Sequence, residues 1–306
     1  MIKKNGNIKS QIFKIIFAII LCVFSCFAQD TYSSKKWFNP KSIFEHGRFQ
    51  LLPEYYFEQD ARFYSNHKNE EYKESYLISA LTDFTGYLVS FDSTIFFGGY
   101  YVNYLGMGRQ NEAILFDPRD VHYALTPFFE FRWKVFYQMG LDHRCFHEID
   151  RKERESGTIY WNQIYVKVSS ANYRFQQMNE KYINGEERGD FLDKLRWQAG
   201  AGYFYTKKDR TLFNGGHPWS ATVWGDVGYS FYRTNNWIFG GRSKVAYYAD
   251  TTGKAYYVGE VGLEADVYKR KHSVGFFING VLEFPRDMPV YPSKDKLVEW
   301  GIRWRY

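Results

Sequence analysis

From about residue 47 onward, apolar and polar residues alternate in runs close to the ~9–11 residues that a tilted, membrane-crossing β-strand needs. The last run is the clearest. Val298, Trp300, Ile302, Trp304 and Tyr306 alternate with Glu299, Gly301, Arg303 and Arg305, so one face suits lipid and the other a wet or salt-bridged interior. Upstream, Val274, Phe276, Ile278, Leu282 and Phe284 oppose Asn279 and Glu283, and Val261, Leu263, Ala265 and Val267 oppose Glu260, Glu264 and Asp266. Trp237, Phe239, Val245 and Tyr247 alternate with Arg242 and Lys244. Trp219, Val223, Val227, Tyr229 and Phe231 face away from Asp226. Leu195, Trp197, Ala199, Ala201, Tyr203 and Tyr205 face away from Arg196 and Gln198, and Tyr123, Leu125, Phe129 and Phe131 from Glu130 and Arg132. Phe49, Leu51, Tyr55 and Phe57 alternate with Arg48, Gln50, Glu54 and Glu58. Runs over 74–91 and 94–105 also read as strands, with blurred alternation. A hairpin over 134–170 completes the set.

The pattern predicts an all-β chain: a transmembrane antiparallel β-barrel of about 12 strands. Short turns at 92–93, 133–134, 234–236 and 269–271 fall at one end, expected to be periplasmic. Longer polar links at 106–119, 146–157, 207–218, 250–254 and 285–294 fall at the other. The link 171–193 is long where a short turn is expected, and reads as a periplasmic helix or a misread strand pair. A soluble β-sandwich would also alternate, but it has no use for Trp and Tyr near both ends of so many apolar faces. Aromatic girdles at two membrane interfaces do.

Composition adds the address. Residues 1–28 carry Lys3, Lys4, Lys9 and Lys14, a short apolar run and a small-residue site at Ser25-Cys26-Phe27-Ala28, the layout of a cleaved signal peptide. Val23-Phe24-Ser25-Cys26 loosely resembles a lipoprotein box, which keeps lipid attachment at Cys26 open. Residues 29–46 read as a polar periplasmic segment, and 47–306 as the barrel in the bacterial outer membrane. Removing the four signal lysines from 40 Lys+Arg leaves 36 against 34 Asp+Glu, a net of +2. The basic balance is therefore partly the signal's, and nucleic-acid binding is not implied. Of three cysteines only Cys145 lies beyond the signal, so no intrachain disulfide is expected. The interior charges (Glu130, Arg132, Asp142, Lys167, Arg196, Asp226, Arg242, Lys244, Glu260, Glu264, Asp266, Glu299, Arg303) are of mixed sign, and the expectation is a barrel plugged by its own ion pairs.

Candidate chemistry sits on the 134–170 hairpin. Val135, Tyr137, Met139 and Leu141 share an apolar face that ends in His143, Cys145 and His147. On the return limb Asn162 shares the face of Ile164, Val166 and Val168. A His beside a nucleophile, with a third group to orient the imidazole, is the logic of acyl transfer, and a thiol attacks as its thiolate. Three other readings of the same residues stand. The two histidines suit headgroup level and Cys145 suits a small rim position, without chemistry. His143, Cys145 and His147 are also soft metal-ligand types on one face. The fourth reading is a structural or transport barrel whose loops carry function. Asn214-Gly215-Gly216-His217-Pro218 reads as a turn, and Arg151-Lys152-Glu153-Arg154-Glu155 as a solvated external run.

At His143-Arg144-Cys145 and Trp161-Asn162-Gln163-Ile164-Tyr165 the sequence resembles outer-membrane phospholipase A, whose members carry His-x-Ser near the outer end of one strand and Trp-Asn-x-x-Tyr opening the next. The resemblance implies a calcium-dependent phospholipid acyl hydrolase, acting on outer-membrane lipids as a homodimer. It casts His143 as base, Cys145 at the nucleophile position and Asn162 as orienter. His147, Asp150 and Ser156 are the candidates near a metal. The chain departs from the pattern in having Cys for Ser, Phe146-His147 for the Asn-Gly that comes after it, and a longer gap to Asn162. His143-x-Cys145-x-His147-x-x-Asp150 also resembles a group of outer-membrane barrels with His-x-Ser-x-His and no assigned activity. Separately, the aromatic Tyr306 closing the last run resembles the terminal signature of bacterial outer-membrane barrels, which implies insertion by the barrel-assembly machinery.

Overall fold

Twelve strands run up and down and close on themselves. They are β1 (Phe49–Ser65), β2 (Ile78–Phe91), β3 (Ile95–Gly108), β4 (Asp117–Arg132), β5 (Val135–Glu148), β6 (Thr158–Ser170), β7 (Leu195–Phe204), β8 (Trp219–Arg233), β9 (Trp237–Asp250), β10 (Ala255–Lys269), β11 (His272–Leu282) and β12 (Lys296–Arg305). Each pairs antiparallel with the next, and β12 returns to β1. The computed structural model describes residues 49–67, 77–92, 94–108, 117–148, 158–170, 173, 194–205, 219–234, 236–269, 272–282 and 296–306. The predicted signal peptide (1–28) and periplasmic segment (29–46) lie outside these residues, as do Asp150, Ser156 and the loop sequences 151–155 and 214–218. Links of two or three residues join β2–β3, β4–β5, β8–β9 and β10–β11 at one end. The longer link 171–194 shares that end, and the site hairpin turns at the other.

The distribution of polarity is inverted relative to a soluble protein. Asp60, Asp226, Glu299 and Arg303 are 1–4% exposed, whereas Leu125, Leu263 and Phe276 on the outer wall are 55–59% exposed. An apolar outer band around a polar interior is stable only when the outside is lipid. Among the described residues no helix is long and apolar enough to cross a membrane; the strands make the crossing. Closure leaves no sheet edge to satisfy in hydrocarbon.

Opposite charges meet inside. Arg303 reaches Asp60 at 3.1 Å and Glu264 at 3.4 Å, Arg305 reaches Glu58 at 2.8 Å and Asp266 at 3.2 Å, and Arg196 also pairs with Glu264. Arg242 holds Asp226 at 2.5 Å, and Tyr173, from the 171–194 link, donates to the same carboxylate at 2.8 Å. Aromatic side chains crowd both ends. Tyr87, Phe96 and Phe128 cluster near the short-turn end, while Phe146, Trp161, Phe204 and Trp219 cluster near the other. A cavity of about 300 Å³ remains between them.

One reading of the outer face is corrected by a bulge, and one blurred run is explained by another. Trp219 belongs to the interior, 3% exposed, because an irregularity between Trp219 and Ala221 breaks the period-2 alternation in β8. In β2 a register shift between Tyr87 and Val89 turns Leu88 and Phe91 outward while Tyr87 and Ser90 stay buried, which is why alternation there is blurred.

Gly140 shows how tightly the interior is packed at the site hairpin. A Cβ there would lie 2.7 Å from the Pro127 carbonyl oxygen and 2.8 Å from the Tyr165 ring, which lies across it in register. Gly140→Val is expected to cost about 1–3 kcal/mol through overpacking, read as a lower urea midpoint of the barrel in lipid vesicles.

Candidate functional site

β5 and β6 are held from inside. Asp142 accepts from Arg144 Nε (2.5 Å), Gln163 Nε2 (2.5 Å) and Thr126 Oγ1 (2.6 Å), tying three strands together. The Thr126 bond spans the stretch where the paired register of β4 and β5 skips Thr126 and Pro127, a proline having no N–H for the ladder. On β6, Trp161 is buried in the aromatic cluster, and Tyr165 donates to Gln138 Oε1 at 2.9 Å. The inward residues 142, 144 and 146 thus fix β5, and 161, 163 and 165 fix β6. Residues 143, 145 and 162 between them turn outward.

His143 and Asn162 stand directly opposite one another, with Nδ1 and Oδ1 2.7 Å apart. With Nδ1–H donating to the amide oxygen, Nε2 is left as the acceptor, the nitrogen a general base uses. His143 is exposed on the outer wall and Cys145, a free thiol, is half-buried two residues further on. At about 3.4 Å of rise per residue the two lie roughly 7 Å apart along the strand. Cys145 is flanked in register by Tyr123 of β4 and Tyr160 of β6. The Tyr160 ring lies 6.2 Å from His143, and the Tyr123 ring lies 5.7 Å from His147. Reading β4 alone shows Tyr123 as a wall aromatic, and Tyr160 carries no signal of its own. Their place beside the thiol comes from inter-strand register. A buried pair, Asp120 and His122 (3.2 Å), lies on the interior side of β4, where the sequence has no motif.

Among the described residues no group of three or more His, Cys, Asp or Glu is placed to hold an ion. His143, Cys145 and His147 are strung along one strand face rather than gathered around a point. Calcium takes 6–8 oxygen ligands. Among the described residues the outer wall here offers two imidazoles, a thiol, an amide and phenols, a set that does not by itself make such a shell. Of the candidates His147, Asp150 and Ser156, only His147 is among the described residues.

No family model matches the chain, and no curated protein matches it in sequence. Among solved structures it is similar to outer membrane phospholipase A from Escherichia coli, at 14% identity and a TM-score of 0.50, over 83% of this chain and 97% of that one. It is also similar to a Salmonella typhi outer membrane phospholipase, solved as a dimer with bound calcium, at 14% identity and a TM-score of 0.49, over 81% and 89%. The likeness is one of fold: this chain is a bacterial outer-membrane β-barrel of twelve antiparallel strands.

Proposed function

We propose that this outer-membrane barrel is a lipid acyl hydrolase that uses the Cys145 thiol at the lipid-facing wall. One observation carries the reading: the His143 imidazole is held by Asn162 at 2.7 Å, on the outer face, two residues along the strand from the only thiol among the described residues. His143 Nε2 takes the thiol proton, and Cys145 Sγ adds to the ester carbonyl carbon. The tetrahedral species collapses, and the lysolipid oxygen leaves with the proton from the imidazolium. Water, deprotonated by His143, then cleaves the thioester, releasing the fatty acid and restoring the thiol.

The rival reading is a structural or transport barrel whose rim motif only meets headgroups. The roughly 7 Å of rise between Cys145 and His143 supports it, being wider than a hydrogen bond. Fatty-acid release from phospholipid micelles by the refolded mature chain, beside Cys145→Ala, separates the two. The hydrolase reading expects release that falls by at least about 10³-fold in Cys145→Ala. Equal release from both proteins, each shown to be folded, overturns it. The calcium requirement and dimer that the resemblance implies are tested by a chelator lane and by cross-linking in the same micelles.

A further inference from the structure

Acyl transfer needs donors aimed at the oxygen that becomes negative when the nucleophile adds. Hydrolases often use backbone N–H groups for this. In β5 they are committed elsewhere: both ladders run unbroken past the thiol. On one side Leu125, Ala124, Tyr123, His122 and Val121 pair with residues 143 to 147, and on the other Asn162 to Thr158 pair with the same five. A strand with a partner on each side spends its N–H groups on the sheet. Among the described residues, β5 thus leaves the oxyanion to a side-chain donor. Directly opposite residues in a sheet share a face, with Cβ atoms about 4.5–5.5 Å apart. Tyr123 and Tyr160 meet that condition on the two sides of Cys145, each carrying an O–H and neither lying behind the wall.

Resting on the hydrolase reading above, we propose that the Tyr160 phenol, seconded by Tyr123, donates to the oxyanion formed when Cys145 adds to a lipid ester. Tyr160 takes the larger share because its ring also borders His143 at 6.2 Å. This places the developing negative charge next to the imidazolium formed in the same step. Tyr123 is packed against His147 and, at 6.5 Å, against Tyr101, which holds its ring along the wall. The ester bond of a lipid lies at the depth where such phenols reside, with apolar ring toward the chains and hydroxyl toward water. The substrate is thus an ester presented at the interface, its acyl chain running down past Leu141 and Ile164, both about half exposed on the same face.

Tyr160→Phe removes one oxygen and keeps the ring, so the aromatic girdle and the fold are preserved. Release from micelles is measured for wild type, Cys145→Ala, Tyr160→Phe, Tyr123→Phe and Tyr203→Phe, a wall tyrosine two strands from the thiol. Each protein is first checked for folding by heat-modifiable migration. Tyr160→Phe is expected to lower kcat by about 10²-fold or more with KM unchanged, Tyr123→Phe by less, and Tyr203→Phe not at all. An active wild type, a dead Cys145→Ala and a Tyr160→Phe of undiminished kcat would overturn the phenol donor and leave the hydrolase standing. A wild type no better than Cys145→Ala removes both.

Discussion

His143→Ala is expected to leave a folded barrel whose fatty-acid release is about 10³–10⁴-fold below wild type, with Asn162→Ala lower by roughly 10–100-fold. The first substitution removes the base, and a thiol left protonated is a poor nucleophile. The second keeps the base but frees it. Asn162 Oδ1 fixes which imidazole nitrogen carries the proton and which way the ring lies, so its loss lowers the fraction of time that Nε2 is available. Neither residue contributes to the interior. His143 is on the outer wall, and β6 is anchored by Trp161 and Tyr165. Stability should therefore move little, and the kinetic loss reads directly on chemistry. The measurement is kcat/KM on mixed micelles, with migration on unheated gels confirming that each barrel is closed. If Asn162→Ala lost as much as His143→Ala, the amide would be doing more than orienting. If neither lost anything, the reading of the site would fall.

Glu264→Gln is expected to cost the barrel about 3–5 kcal/mol, the largest loss of stability expected from any single substitution considered. Three guanidiniums converge on this carboxylate: Arg303 at 3.4 Å, Arg305 at 3.7 Å, and Arg196. All four side chains are at most 13% exposed. Removing the negative charge leaves like charges packed together where water cannot screen them well. Asp60, Glu58 and Asp266 compensate Arg303 and Arg305, so Arg196 becomes the least satisfied member. Arg196→Met in the Glu264→Gln background should then recover most of the loss. The readout is the midpoint of urea unfolding in lipid vesicles, and a double variant no more stable than the single would count against this account of the network.

The barrel was legible in the sequence because lipid outside and charge inside impose strict alternation, and β11 and β12 obey it along their length. It blurred where the backbone changes phase. The irregularities at Tyr87/Val89 and Trp219/Ala221 each shift the facing of the residues beyond them, and nothing in local composition marks them. Of the site, parity anticipates only that His143, Cys145 and Asn162 share a face; that His143 stands opposite Asn162 is set by register. Two odd-numbered residues on an apolar face, and one on the matching face of the return strand, must share a side of the wall. Asp142 was readable as an interior charge, but its bonds to Thr126, Arg144 and Gln163 were not, since they depend on which residues lie opposite. The tyrosines flanking Cys145 escaped for the same reason: inter-strand register is a property of pairs, and a single strand does not contain it.

The seam between β1 and β12 bears on how the chain becomes a barrel. Glu58 and Arg305 are 247 residues apart, and Asp60 and Arg303 are 243 apart. Bringing such distant segments together is the slowest kind of contact, because the entropy of loop closure is lost before any contact repays it. Until β12 arrives, Glu58 and Asp60 lack two of the guanidiniums that will neutralise them, and β1 presents an open edge. A nascent barrel without the 10 residues of β12 would therefore carry unmatched charge and bare backbone into lipid. Insertion should accordingly be all-or-none, with the final strand acting as the latch and partly wound chains held back in the aqueous compartment.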